Sequence, residues 1–254
     1  MFDDSFSLTT ATILKVFNEE VEGRGGRLID TFDDGRRLFV RSLLPHIGDV
    51  RPNDRMQGGL ALRATDREVW LHPYLFREVC RNGAITAHSL ESLHLERLEL
   101  YTPEVAMSLF RDAIADCSEE PVFAQSLDSV RSAADTELDE LLDLMPHIHE
   151  LQQNNMSIFV AEILHRFSAE RDRSQLGFMN AVTSVARDTS DPDARWRLEE
   201  FGGGIAAGLL PPRPSDAPGQ RRVYRASRQS DPLAQLEERL QCVDARIVAV
   251  AEVD

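Results

Sequence analysis

Cysteine is scarce in this sequence. Three residues, Cys80, Cys117 and Cys242, stand far apart in a chain of 254. Their odd number and wide spacing exclude a disulfide framework and match no zinc-ligand pattern, so buried free thiols are expected. Long apolar runs are also missing: nothing approaches the roughly 20 residues that a membrane-spanning helix needs. The opening stretch MFDDSFSLTT has neither the basic start nor the apolar centre of a secretory signal. These absences predict a cytoplasmic protein without membrane association. Lysine occurs once, as Lys15, among 28 basic residues. A GC-rich coding bias accounts for that, although arginine also suits bidentate contacts to phosphate. There is no Walker loop, dinucleotide fingerprint, nucleophile elbow or zincin motif, and no cofactor is expected. Gly202-Gly203-Gly204 lacks the lysine and serine of a phosphate loop and reads as a helix break.

What is present supports a folded core. Hydrophobic residues make up 42% of the chain, enough for one large domain or two modest ones. The net charge of −15 argues against a protein that coats nucleic acid along its length. That charge is uneven. Residues 101–150 hold 12 acidic and 2 basic side chains, whereas residues 51–100 hold 7 of each.

The neutral stretch contains the segment from Met56 to Ile85, around which the chain is organised. Leu60 and Leu62 alternate with Ala61 and Arg63, the period of a strand with one buried face. Thr65 to Glu68 is short and polar enough to turn the chain, and Val69 and Leu71 then alternate with Trp70 and His72. Pro73 suits a first helical position. Leu75, Phe76 and Val79 follow at helical spacing, which predicts a short helix carrying Arg77 and Arg81 one turn apart. Asn82-Gly83 is expected to stop it, with Gly83 at positive φ. Gly58-Gly59 marks a bulge or a close approach of backbones.

On either side the pattern is legible. Residues 7–22 read as an amphipathic helix capped by Ser7 or Thr9. A hairpin follows, turning at Asp34-Gly35. Leu93 to Leu100 fits a strand better than a helix. Thr102-Pro103 opens a helix, and Pro121 to Met145 is helical and acidic, with Pro146 as its stop. Residues 151–168 and 174–188 give two more helices, and Asp191-Pro192 starts another. The predicted fold is α+β: an N-terminal antiparallel β-meander of about four strands followed by a helical region. The expected division is a domain over 1–209, a linker rich in proline and arginine over 210–231, and a C-terminal helix over 232–254.

Two groups of residues suit contact with nucleic acid. Arg63, Arg67, Arg77 and Arg81 offer cations to phosphate, Trp70, His72 and Tyr74 offer rings on which bases stack, and Asn82 offers an amide. Equally, the rings can be core and the arginines paired with local acids. In the linker, Arg221, Arg222, Arg225 and Arg228 surround Tyr224 without an acid among them, which suits a flexible arm touching an anion. His147, His149 and Glu150, with Glu162 and His165, include metal-ligand types but at no recognised spacing, so polar helix surface is the plainer reading and no metal is assigned. Asp112 with Asp116, and Asp139 with Asp143, can each share a helix face, as pairs in so acidic a segment do by chance.

At Gly35-Arg36-Arg37-Leu38-Phe39-Val40, and again from Leu75 to Gly83, the sequence resembles a family of phage- and plasmid-related proteins of unknown function. In that family a strand beginning near a Gly-Arg pair is followed by a Leu-x-Arg-x-Val-Cys-x-Asn element. A later Asn-Ala-Val-Thr segment with a downstream Gly-Gly is also similar, here Asn180 to Thr183 and Gly202-Gly203. The likeness runs in order over about residues 25–208. It departs at Leu62 to Asp66, where members carry a Ser-Asn or His-Asp-Gly motif. The resemblance implies a mobile-element setting and no particular activity. By analogy of fold alone, a meander followed by helices also looks like the core of ring-forming phage annealing proteins. The expectation is therefore a non-catalytic, homo-oligomeric protein that holds single-stranded DNA on its sheet side. Two other classes compete: an acidic interaction protein that mimics nucleic acid or inhibits a DNA-binding protein, and a metal-dependent nuclease, which needs a carboxylate cluster.

Overall fold

A computed structural model describes residues 9–87, 91–138 and 141–208. The expected linker and C-terminal helix, with the arginines of the arm, lie outside the described residues, as do Ser7, Asp139 and Cys242.

Helix α1 (Thr10–Gly23) begins where the Thr9 hydroxyl accepts a hydrogen bond from the Thr12 backbone N–H. It buries Ile13, Val16, Phe17 and Val21 along one stripe. Strands β1 (Arg27–Asp33) and β2 (Arg37–Leu43) form the expected hairpin. Its turn is held by Asp34, whose carboxylate accepts from the backbone N–H groups of Arg36 at 3.0 Å and Arg37 at 2.7 Å. Gly35 takes the left-handed conformation there, with φ at 80°.

The sheet continues through β3 (Ile47–Arg51), β4 (Asp54–Thr65), β5 (Glu68–Arg77), β6 (Asn82–Ile85) and β7 (Leu93–Glu96). It is antiparallel, in the order β1-β2-β4-β5-β6, with seven strands rather than about four. The larger number arises because two long strands each share an edge between two short ones. β4 pairs with β3 through Asp54 to Gln57 and with β2 through Ala61 to Thr65. β5 pairs with β7 through Glu68 to Leu71 and with β6 through Tyr74 to Arg77. Gly58-Gly59 falls where β4 changes partner, and a side chain on Gly59 would overlap the Ser42 carbonyl. The glycine pair thus marks a close backbone approach.

The short helix expected over Pro73 to Arg81 does not form. Residues 73–77 are the second half of β5, and a turn follows. The Pro73 carbonyl accepts from the Thr86 backbone N–H on the β6 side. The missing Pro73 N–H therefore faces the gap between β6 and β7, where no ladder bond is lost. Leu75 and Phe76 mimic a helical face because β5 is covered on both faces, which erases the alternation of a half-buried strand. Arg81, not Gly83, has the positive φ, at 56°. Gly83 pairs with Phe76 inside β6, and a methyl there would overlap the Tyr74 hydroxyl.

Leu93 to Leu100 is half strand, ending in one 3₁₀ turn over Leu98–Leu100. Helix α2 (Pro103–Cys117) starts at Thr102-Pro103 as expected. The acidic region is two helices, α3 (Glu120–Asp135) and α4 (Leu141–Gln153), and Pro146 sits inside α4 instead of ending it. The carbonyl that loses its partner to Pro146 belongs to Leu142, which is exposed and can bond to water. Helices α5 (Ser157–Ala169), α6 (Gln175–Asp188) and α7 (Pro192–Ala206) complete the described chain. The three glycines expected to break α7 lie within it. A side chain on Gly203 would overlap the Ile85 carbonyl, so these glycines let α7 lie close against β6.

The two sheet faces have different covers. Leu38, Val40, Leu60, Leu62, Val69 and Leu71 pack with Ile13 and Phe17 of α1 and Phe110 and Ile114 of α2. On the opposite face Phe39, Ala61, Tyr74 and Ile85 pack on Trp196 of α7. Met56, Leu75 and Ala84 share a third cluster with α3, α6 and α7. Cys117 is buried and Cys80 is half-buried. Among the described residues no helix is long and apolar enough to cross a membrane.

Candidate binding cleft

The α7-facing side of the sheet is unusually polar. Alternation along β4 and β5, in register Arg63 with Trp70, Ala61 with His72 and Gly59 with Tyr74, puts Arg63, Trp70, His72 and Tyr74 on that side. Arg41 of β2 joins them opposite Ala61, and Asp30 of β1 opposite Arg41. Helix α7 is aimed at this face by its cap, where the Asp191 carboxylate accepts from the N–H groups of Asp193 and Ala194. Helical spacing then turns Trp196, Glu199 and Glu200 to the sheet.

Ion pairs clamp the helix in place. Arg41 Nε donates to Glu199 at 2.7 Å with both side chains 2% exposed. Arg41 also reaches Asp30 at 3.0 Å, and Arg195 closes the group with Asp30 at 2.8 Å and Glu199 at 3.1 Å. Two cations and two anions balance here. Burial alone would lower the Arg41 pKa, but the Glu199 carboxylate beside it raises it, so the guanidinium stays charged. At the start of α7, Asp193 accepts from Arg37 at 2.8 Å and lies 3.2 Å from Arg63.

Beyond this clamp the surfaces part. A cleft of about 480 Å³ opens between the sheet, α4 and α7. Arg63, Trp70 and His72 line it from the sheet, and His147, Glu150 and Gln153 from α4. Asn154 and Asn155 line it from the loop after α4, and Trp196, Arg197, Glu200 and Phe201 from α7. Both tryptophans of the chain are in its wall. Trp70 is stacked on His94 of β7, with centroids 3.3 Å apart, and its indole N–H has no partner among the described residues.

Two shifted groups and a balance of charges set the electrostatics. Burial pushes the Glu200 carboxyl up to about 7, against the opposing pull of a Trp196 hydrogen bond and of Arg63 and Arg197. The side chain lines the cleft and is 29% accessible, and His72 Nε2 lies 3.8 Å from its Oε1. Burial lowers His147 to about 4, so its imidazole is neutral near pH 7, and its Nε2 has no partner among the described residues. With Arg63 and Arg197 set against Glu150 and Glu200, the cleft is close to neutral. Aromatic walls, amides and balanced charges suit a flat heterocycle with a polar edge.

The residues singled out from sequence divide here. Arg63, Trp70 and His72 line the cleft. Tyr74 shares their face but lies buried beneath α7. Arg77 is held by Asp54 through bonds of 2.6 and 2.7 Å and is not on a helix with Arg81. Asn82 is buried and donates to Asn180 Oδ1 at 3.1 Å. Arg67 and Arg81 are exposed in the turns at opposite ends of β5. His149 bonds to Gln153 and Glu162 to Arg166, and among the described residues no three His, Cys, Asp or Glu side chains gather to hold a metal. Sequence reasoning missed Trp196, Arg197 and Glu200. The one available signal was the second tryptophan, flanked by Arg195 and Arg197. No family model, curated protein or solved structure matches this chain.

Proposed function

We propose that this protein binds single-stranded nucleic acid, taking an unstacked base into the cleft between the sheet, α4 and α7. The observation that carries this reading is the meeting of half-buried Trp70 with Arg63 and Arg197 around one opening of about 480 Å³, over buried Trp196 and Phe201. Its size falls within the range of roughly 300–1,000 Å³ common for ligand sites. Aromatic faces stack on bases and arginines contact phosphates, the recurring chemistry of single-strand recognition. Because α7 covers the sheet, the strand does not lie across an open platform, and one base at a time enters. Binding by this route needs no catalytic step and fits the net charge of −15, since few phosphates are neutralised. A phage- or plasmid-type setting, implied by the sequence resemblance, self-association, suggested by analogy of fold alone, and a cytoplasmic location belong to the same proposal. Exposed Ile47, Leu142, Met145 and Ile158 offer apolar surface for that association.

Both tryptophans report on the site. Titration of the protein with single-stranded oligonucleotide at low salt is expected to quench their fluorescence, with a shallow dependence on salt. Absence of quenching at low salt would overturn the reading.

A second reading rests on another surface. Asp116, Glu119, Glu120, Asp128 and Asp135 of α2 and α3 and the connection between them are exposed, and nearby Arg131 is tied to Asp128 and to the Asp49 carbonyl. This is the acidic exterior that a mimic of nucleic acid presents to a basic partner. Protein that ignores oligonucleotide yet displaces duplex DNA from a basic DNA-binding protein would favour it.

A further inference from the structure

We infer that the cleft selects guanine, with the Glu200 carboxylate as acceptor for its Watson–Crick edge. This inference deepens the single-strand reading and rests on it. Glu200 lines the cleft together with Trp70, Arg63 and Arg197, and His72 Nε2 lies 3.8 Å from its Oε1. The Trp196 indole donates to this carboxylate. Arg63 is already shared with Asp193 at 3.2 Å and lies 3.9 Å from Glu68. A half-buried carboxylate that opens on an aromatic cleft is well matched by a ligand that brings N–H groups with it.

Among the four DNA bases only guanine presents two adjacent donors, N1–H and the N2 amino group, spaced for the two oxygens of one carboxylate. Adenine and cytosine each place a ring acceptor beside a single amino donor. Thymine flanks its one N–H with carbonyls, which a carboxylate repels. The opposite guanine edge carries the O6 and N7 acceptors, which arginine pairs with in a bidentate manner. Arg63 and Arg197 supply that cation chemistry in the same opening. A polyphosphate is a poorer occupant, because Glu150 and Glu200 face it from the same walls.

The test uses the full chain and short oligothymidylates carrying one central dG, deoxyinosine or dA, read by tryptophan quenching. Deoxyinosine differs from dG only in lacking the N2 amino group. The dG strand is expected to bind about tenfold more tightly than the other two, the size of one well-formed bidentate pair. In Glu200→Gln the margin between dG and deoxyinosine is expected to vanish. Equal binding of all three strands by the unaltered protein would overturn the guanine assignment while leaving single-strand binding intact. A dG preference that survives in Glu200→Gln would overturn the role of Glu200. No quenching by any strand would overturn both this inference and the reading beneath it.

Discussion

The Arg41 guanidinium on β2 and the Glu199 carboxylate on α7, 158 residues apart in sequence, meet at 2.7 Å where both side chains are buried. This pair fastens α7 over the polar face of the sheet and so forms the floor beside the cleft. Taking one partner away strands the other charge in a dry place. Arg41→Met and Glu199→Leu are each expected to lower stability by about 3–5 kcal/mol. The apolar pair Arg41→Met with Glu199→Leu leaves Arg195 and Asp30 joined at 2.8 Å and is expected to lose much less than the two single changes together. Urea denaturation of the four proteins decides this, and additive losses would show that the pair is not coupled.

Gly83 is required by its neighbour, not by its backbone angle. Its added methyl would overlap Tyr74, which is fully buried. Gly83→Ala is therefore expected to destabilise by roughly 1–3 kcal/mol as an overpacked core does. Withdrawing the ring with Tyr74→Leu in the same chain should make the two changes less than additive. Strict additivity in chemical denaturation would place the clash elsewhere.

The Glu200 carboxyl stands at about 7 in the folded protein, against an ordinary 4.5. The folded state therefore holds this proton more tightly than the unfolded chain does. Below about 4.5 both states are protonated and nothing is gained or lost. As pH rises from about 4.5 to about 7 the unfolded chain ionises before the folded carboxyl does and stability falls, and above about 7 the folded site carries the anion at its full cost. Glu200→Gln removes that penalty, so the variant is expected to be more stable on the alkaline side, by something on the order of 1 kcal/mol. Arg63, Arg197, His72, Glu150, Glu199 and His147 surround the site, and the attraction of Arg63 and Arg197 for the Glu200 anion offsets part of the penalty. Thermal melts at about pH 5 and about pH 8 measure it, and an advantage confined to the acidic side would contradict the argument. A gain in stability together with a loss of base selectivity is the signature of a residue kept for binding.

Arg77 and Arg81 are expected to part company when mutated. Arg77→Ala removes two charge-assisted bonds from Asp54 and should lower stability by about 1.5–3 kcal/mol. Arg81 is exposed, so Arg81→Ala should stay within about 0.5 kcal/mol of the parent. If Arg81 touches a phosphate of a bound strand, its loss flattens the salt dependence by no more than one contact. A stable Arg77→Ala protein would show that the Asp54 pair is dispensable.

The sequence by itself determined the parts decided within a turn or two of chain. Thr9 capping α1, Asp34-Gly35 turning the first hairpin and Thr102-Pro103 opening α2 follow from hydrogen bonds and φ preferences of immediate neighbours. The α+β class follows from the same local signals read in order. Tertiary structure decided the rest. Pro73 to Arg77 became strand because β5 gained cover on both faces, and no local pattern separates a two-faced strand from a short apolar helix. The glycines near the end of α7 became a packing surface because β6 lay against them. The cleft was half legible. Arg63, Trp70 and His72 lie close together in sequence on adjacent strands, whereas Trp196, Arg197 and Glu200 reach them only when α7 is clamped onto the sheet. That clamp is a balance of buried charges between distant segments. Its strength depends on exclusion of water, a property of the assembled fold and not of any stretch of sequence.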